Sequence, residues 1–184
     1  MRKLLRVTAA VLAGLVAVLV VTLIVLRVIG FDPKERRPGL WLSGEVVMTP
    51  VTDWSFTDTQ ETILVQTRAW YGLPHSVTTV CVAHDGRLYL TSTYRPGMEF
   101  PRDRLWNENV MRDPNVRLKI GGRLYDVRLA LVTDPAEKDA VLVAKARKYP
   151  KLPAAAARQV YMFRVLSRYP VGRHSVLLSY RANP

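Results

Sequence analysis

Between Thr91 and Arg104 the chain sets three hydroxyls, Thr91, Ser92 and Thr93, just ahead of three guanidinium groups, Arg95, Arg102 and Arg104. These are the groups a phosphate monoester needs, because one guanidinium can meet two phosphate oxygens at once. A helix starting near Arg104 would add main-chain N–H donors at its N-terminus. A polar loop with solvated arginines has the same composition, so the cluster alone points to a phosphate without establishing one. Other chemistries find less support. His75, His84 and His174 have no metal-ligating companion at helical or hairpin spacing, so no metal site is expected. There is no nucleophile elbow and no phosphate loop of the Walker type, and Asp58 and Glu61 do not form an acid/base pair. The single cysteine, Cys81, excludes an intrachain disulfide, and within Val80-Cys81-Val82 it reads as a small buried hydrophobe.

The elements that would position this cluster are short and rich in turns. Ile63–Thr67 reads as a strand, ended by the Trp70-Tyr71-Gly72-Leu73-Pro74 turn. Residues 76–83 (SVTTVCVA) are β-branched and form a second strand. Asp85-Gly86 makes a tight turn into a third at 87–93. After a Pro/Gly loop, Arg104–Arg112 shows helical spacing of Leu105, Trp106, Asn109 and Val110, and Asp113-Pro114 stops it. Residues 116–120 and 124–132 pair across Gly121-Gly122. Asp134-Pro135-Ala136-Glu137 is a helix start, with a capping Asp and Pro at the first position, and this helix is expected to reach about Tyr149. A further helix over 154–167 and a last strand over 174–180 complete the expectation. The predicted class is α+β, an N-terminal transmembrane helix followed by a six-stranded antiparallel split β-barrel with two or three helices.

Val7 to Leu26 contains 20 residues without a charge. At about 1.5 Å per residue this covers the roughly 30 Å hydrocarbon core of a bilayer. A cleaved signal peptide would carry a shorter apolar run and end in small residues, whereas this one leaves through Leu26-Arg27-Val28-Ile29. The expected organisation is an uncleaved anchor over 1–29, a juxtamembrane linker over 30–44 and one domain over 45–184, in a single-pass protein of a bacterial-type inner membrane. Arg2, Lys3 and Arg6 before the span nearly balance Arg27, Lys34, Arg36 and Arg37 after it, which leaves sidedness open. Beyond residue 31 there are 23 basic and 15 acidic residues, a surplus of eight that favours anionic partners. No nucleic-acid motif accompanies it and the basic residues are dispersed, so nucleic acid is not an expected partner.

The ordered stretch PHSVTTVCVAHDGRLYLTSTYRPG, followed by Trp106-x-x-Asn109-Val110-x-x-Asp113-Pro114-x-Val116 and Gly121-Gly122-Arg123, resembles the FMN-binding split-barrel superfamily. That superfamily includes pyridoxamine-phosphate-oxidase-like proteins and deazaflavin-dependent nitroreductases. The tryptophan-to-diglycine segment is its most specific part and is similar to the deazaflavin branch, and the resemblance covers about residues 63–143. It implies a cofactor, FMN or an 8-hydroxy-5-deazaflavin coenzyme, held by His75, Ser76, Val77, Thr78, Thr79, Thr91, Ser92, Thr93, Arg95, Arg104, Trp106 and Asn109. Of these, Ser76 to Thr79 would lie against the ring, and Thr91, Ser92, Arg95 and Arg104 would hold the phosphate. Where FMN members often carry Ser-Arg-Lys or a lone Lys, this chain has Tyr94-Arg95-Pro96, which leaves the choice of cofactor open. By spacing alone Trp106 reads as core and Asn109 as a helix-to-loop hydrogen-bonding residue.

The resemblance further implies a homodimer and hydride chemistry on an unknown small-molecule substrate, supplied by the cofactor. A non-catalytic module binding flavin, haem or a lipid has the same sequence signature. The abundance of such cofactors in the cytoplasm favours that side of the membrane. Trp70 and Tyr71 could roof a pocket across a dimer or enter the membrane interface.

Overall fold

A computed structural model of the chain describes residues 2–35, 37–151 and 160–167. The apolar N-terminal run is a single helix, α1 (Arg2–Ile29), long and apolar enough to cross a membrane. Its Thr8 and Thr22 hydroxyls donate to the Leu4 and Val18 carbonyls one turn back, which removes their polarity from the surface. An arm (31–43), the two-residue β1 (Glu45–Val46) and a 3₁₀ turn (Ser55–Thr59) lead into the barrel.

Six strands close the barrel: β2 (Ile63–Arg68), β3 (Pro74–His84), β4 (Arg87–Thr93), β5 (Asn115–Ile120), β6 (Arg123–Leu131) and β7 (Val160–Ser167). They run in the order β6-β5-β2-β3-β4-β7, and β7 pairs back onto β6, all antiparallel. β1 adds to β6 in parallel. The Asp85-Gly86 turn has both residues at positive φ, 49° and 69°, which matches the twist of β3 into β4. Helix α2 (Leu105–Arg112) crosses one end of the barrel, and α3 (Pro135–Lys148) lies on its outer face. The Asp134 carboxylate caps α3, accepting from the Ala136 and Glu137 main-chain N–H groups at 3.2 Å each.

Period-two alternation sorts the side chains into two cores. Val65, Cys81, Leu88, Leu90, Leu118, Val127 and Phe163 fill the barrel, with Trp106 and Val110 of α2 sealing it. The Trp106 ring lies 5.3 Å from that of Phe163. Val82, Tyr89 and Met162 face outward and are covered by Val141 of α3.

One expected element is of the other type. Val160–Ser167, read as the end of a helix over 154–167, is strand β7. Its run of Val, Tyr, Met, Phe and Val favours a pleated surface. Between β4 and β6 it also satisfies two strand edges that a helix would leave unpaired. Residues 154–159 and the expected strand over 174–180 lie outside the described residues.

Candidate functional site

β3 has two unlike halves. From Val80 to His84 it pairs with β4 on one edge, while on the other the Tyr149 hydroxyl meets the Cys81 main chain. From Pro74 to Thr79 it pairs with β2 alone, because β4 turns away to β7 at Ser92 and Thr93. At the fork the Thr79 hydroxyl donates to the Thr91 carbonyl at 3.1 Å and ties the strands together. Beyond it, the Ser76 main chain exchanges two hydrogen bonds with Gly39 of the arm, 3.0 and 2.9 Å. Main-chain groups two residues apart point to the same edge of a strand. Those of Thr78 therefore sit between the Ser76–Gly39 bridge and the Val80–Thr91 pair. No described residue fills that place in the ladder.

Against this gap lies a groove of about 600 Å³, in the range usual for small-molecule sites. His75, Val77 and Thr78 form its floor. Arg95, Met98 and the 102–106 segment form one wall, and Glu35, Arg37 and Pro38 of the arm form the other. Gly39 is what lets the arm approach: a Cβ there would stand 2.2 Å from the Phe31 carbonyl oxygen and 2.6 Å from Ser76 Oγ. Four guanidiniums, Arg37, Arg95, Arg102 and Arg104, line the groove, and none forms an ion pair with a described carboxylate. Arg104 is oriented by donating from Nε to the Thr93 carbonyl at 3.1 Å. No side chain caps the N-terminus of α2, so its first N–H groups stay available beside Arg104, Leu105 and Trp106.

Two buried polar atoms of groove residues have no hydrogen-bond partner: His75 Nδ1 and Asp103 Oδ2. Asp103 Oδ1 accepts from the Asn107 side-chain amide at 2.8 Å, which fixes the carboxylate and leaves its second oxygen free. Burial holds the His75 imidazole below its ordinary pKa, so the neutral ring is favoured. Orphaned atoms of this kind carry a desolvation cost that a ligand with matching groups would remove.

The sequence-derived residues divide into three sets. His75, Val77, Thr78, Arg95, Arg104 and Trp106 meet in the groove. Ser76, Thr79 and Thr93 stand at its frame, through the Gly39 bridge, the fork and the Arg104 contact. Thr91, Ser92 and Asn109 do not line it. Thr91 Oγ1 accepts from the buried Lys145 ammonium at 2.9 Å under α3, and Ser92 is buried with its hydroxyl unpartnered. Asn109 is wholly buried and donates to Thr67 Oγ1 at 2.9 Å, which pins α2 to β2. Sequence reasoning missed Asp103, a carboxylate between Arg102 and Arg104, and the arm residues Glu35, Arg37 and Pro38. Only the Pro-Gly pair at 38–39 hinted that the arm does more than connect.

A second hollow of about 540 Å³ lies between the 3₁₀ turn and α3. It holds none of the unpartnered buried atoms, and its Lys148 ammonium already donates to the Thr57 carbonyl at 2.8 Å. It offers a ligand less than the β3 groove does.

No protein-family model matches the chain, and no curated protein matches it. Solved structures do. A conserved hypothetical protein of Mycobacterium tuberculosis superposes with a TM-score of 0.51 at 16% identity, covering 70% of this chain and 86% of that one. The haem storage protein HutZ of Vibrio cholerae gives 0.48 at 12% identity over 62% and 86%. An F420-H2-dependent reductase gives 0.45 at 20% identity over 58% and 95%. The closed six-stranded barrel and the superposition on the Mycobacterium tuberculosis protein give the chain a split-barrel fold.

Proposed function

We propose that the protein is a membrane-anchored oxidoreductase that holds FMN or an 8-hydroxy-5-deazaflavin coenzyme in the β3 groove and works as a homodimer. The observation that carries this is the composition of the groove: an open main-chain position at Thr78, four uncompensated guanidiniums, and two buried orphan atoms. A phosphorylated isoalloxazine or deazaflavin has the complementary set. Its phosphate suits Arg95, Arg102, Arg104 and the α2 N-terminus. Its ribityl hydroxyls and ring N–H suit Asp103 Oδ2, and its ring carbonyls and N–H suit the Thr78 main chain. His75, neutral, can donate or accept according to tautomer. The bound ring supplies hydride transfer. The chain would bind and orient it, and a guanidinium not engaged by the phosphate would stabilise negative charge on the ring's pyrimidine edge. Positioning and electrostatics need no protein acid or base, in keeping with the motifs the sequence lacks.

Helix α1 supports membrane anchoring through residues 7–26 by its length and its largely exposed apolar surface. The arm that follows it forms one wall of the groove, which ties the anchor to the site.

The test is direct. The full chain, purified in detergent, is scanned for flavin or deazaflavin absorbance, and copurifying small molecules are identified by mass spectrometry. Saturable binding of FMN or deazaflavin is expected, with reduced cofactor oxidised by small-molecule acceptors. Binding of neither sinks the cofactor assignment, whereas binding without turnover across acceptors makes the protein a carrier.

A further inference from the structure

The β2–β3 turn presents two large aromatic rings to solvent. Trp70 is 76% exposed and Tyr71 53% exposed, and the rings stack edge to face at 5.4 Å. The turn beneath them is fixed: Ala69 donates to the Leu73 carbonyl and Gly72 to the Ala69 carbonyl, each at 2.9 Å. Such rings, one end apolar and the other polar, favour the headgroup layer of a bilayer over bulk water.

Their position gives that preference a target. Arg27, in the last turn of α1, lines one groove of about 530 Å³ together with Trp41, Arg68, Gly72 and Pro74. The aromatic turn therefore stands beside the point where α1 ends, at the same end of the molecule. The carboxylates in this groove are already engaged. Asp126 holds Arg117 through both oxygens, at 2.7 and 2.9 Å. Asp113 accepts from the Asn115 main-chain and side-chain N–H groups, at 3.1 and 2.9 Å. Arg27 and Arg68 have no carboxylate partner among the described residues.

We propose that this end of the barrel is a second membrane contact, at which Trp70 and Tyr71 enter the headgroup layer while Arg27 and Arg68 take the phosphates of anionic phospholipids. The occupant is a lipid because the groove is continuous with the end of the span and its spare charges are cationic. The contact holds the barrel against the bilayer and limits its freedom to swing on the arm. It also brings the cofactor groove close to the surface. Thr78 lies four residues along β3 from Pro74, about 13 Å at the rise of a strand. The inference rests on the reading of α1 as a membrane span.

The test uses the full chain in nanodiscs containing lipids with a nitroxide on the headgroup. Tryptophan emission should be quenched, and Trp70→Phe should remove the quenched component that Trp41→Phe leaves in place. Native mass spectrometry of protein released from discs of mixed phosphatidylglycerol and phosphatidylcholine should show retained anionic lipid. Arg27→Gln and Arg68→Gln should each weaken that preference about fivefold. Quenching unchanged by Trp70→Phe, or equal retention of both lipids, overturns the proposal. So does a saturable response to inorganic phosphate in detergent, which would make the groove a soluble-anion site, and so does Trp70 shielded only in discs holding two copies. Release of the chain by alkaline extraction would instead overturn the span itself, whereas an anchored chain with unquenched Trp70 overturns this contact alone.

Discussion

The two halves of β3 belong to one continuous strand of eleven residues, yet they are built to opposite ends. From Val80 onward one edge of the strand is taken by β4, and its side chains, Cys81 and Val82 foremost, are buried in the two cores. Before the fork that same edge meets only Gly39 of the arm, and the side chains include His75, Ser76, Thr78 and Thr79. In the first region the main chain is spent on the fold. In the second it is left over, and what a ladder would have consumed becomes a recognition surface. The same contrast holds among the cations: Arg117 and Arg164 are tied to Asp126 and Glu137 at 2.7 Å, whereas the arginines of the groove are held by no acid.

Proline substitution breaks the comparison most sharply. Val80→Pro removes a ladder donor between β3 and β4 and should cost about 1–3 kcal/mol of stability. Thr78→Pro removes a donor that has no partner in the fold, at a position like those of edge strands where proline is tolerated. Its stability should stay within about 1 kcal/mol of the parent, while FMN or deazaflavin affinity falls about tenfold. Denaturant unfolding in detergent and a fluorescence binding titration read the two effects, and similar destabilisation by both prolines would erase the distinction.

The arginines sharpen it next. Arg95→Gln and Arg104→Gln should each weaken cofactor binding about tenfold or less, since these side chains are exposed and screened. The loss should shrink as salt is raised. Arg104→Gln should carry the larger share, because the Thr93 carbonyl already holds that guanidinium in place. An unchanged affinity in both variants would put the phosphate elsewhere.

The smallest effect concerns His75. Its folded pKa is held below its unfolded value, so the unfolded chain takes up the proton first as pH falls. The stability tied to the neutral ring is present above the unfolded pKa, near 6.5, and is lost as pH drops toward the lower folded value. His75→Gln should flatten that part of the stability profile. A profile with the same slope in the variant would remove His75 as its origin.

Much of this architecture was legible in the residues. Asp85-Gly86 and Gly121-Gly122 marked the hairpins, Asp134-Pro135 marked the start of α3, and the β-branched run of β3 with its tight turn into β4 marked the barrel wall. β7 was not legible, because four alanines at 154–157 carry a helical signal into a run whose pairing with β4 and β6 comes from distant chain. The groove was half legible. Hydroxyls and arginines could be read as types, but the fork that frees Thr78 depends on where β4 leaves β3, and no local pattern encodes that. Thr91 illustrates the cost: in sequence it belongs with Ser92 and Arg95, whereas in space its hydroxyl faces Lys145 on the far side of the sheet.

The arm has a practical corollary for anyone wishing to free the barrel from its helix. Gly39 guards a bare β edge, Asp32 grips Lys119, and the Leu42 N–H is held by the Gln66 side chain at 2.7 Å. Trimming at the apparent start of the barrel, near residue 45, would strip that guard away. The exposed edge would then be open to any passing chain, and clumping of such a fragment would reflect where the cut fell rather than any frailty of the fold. A cut ahead of Phe31 spares it.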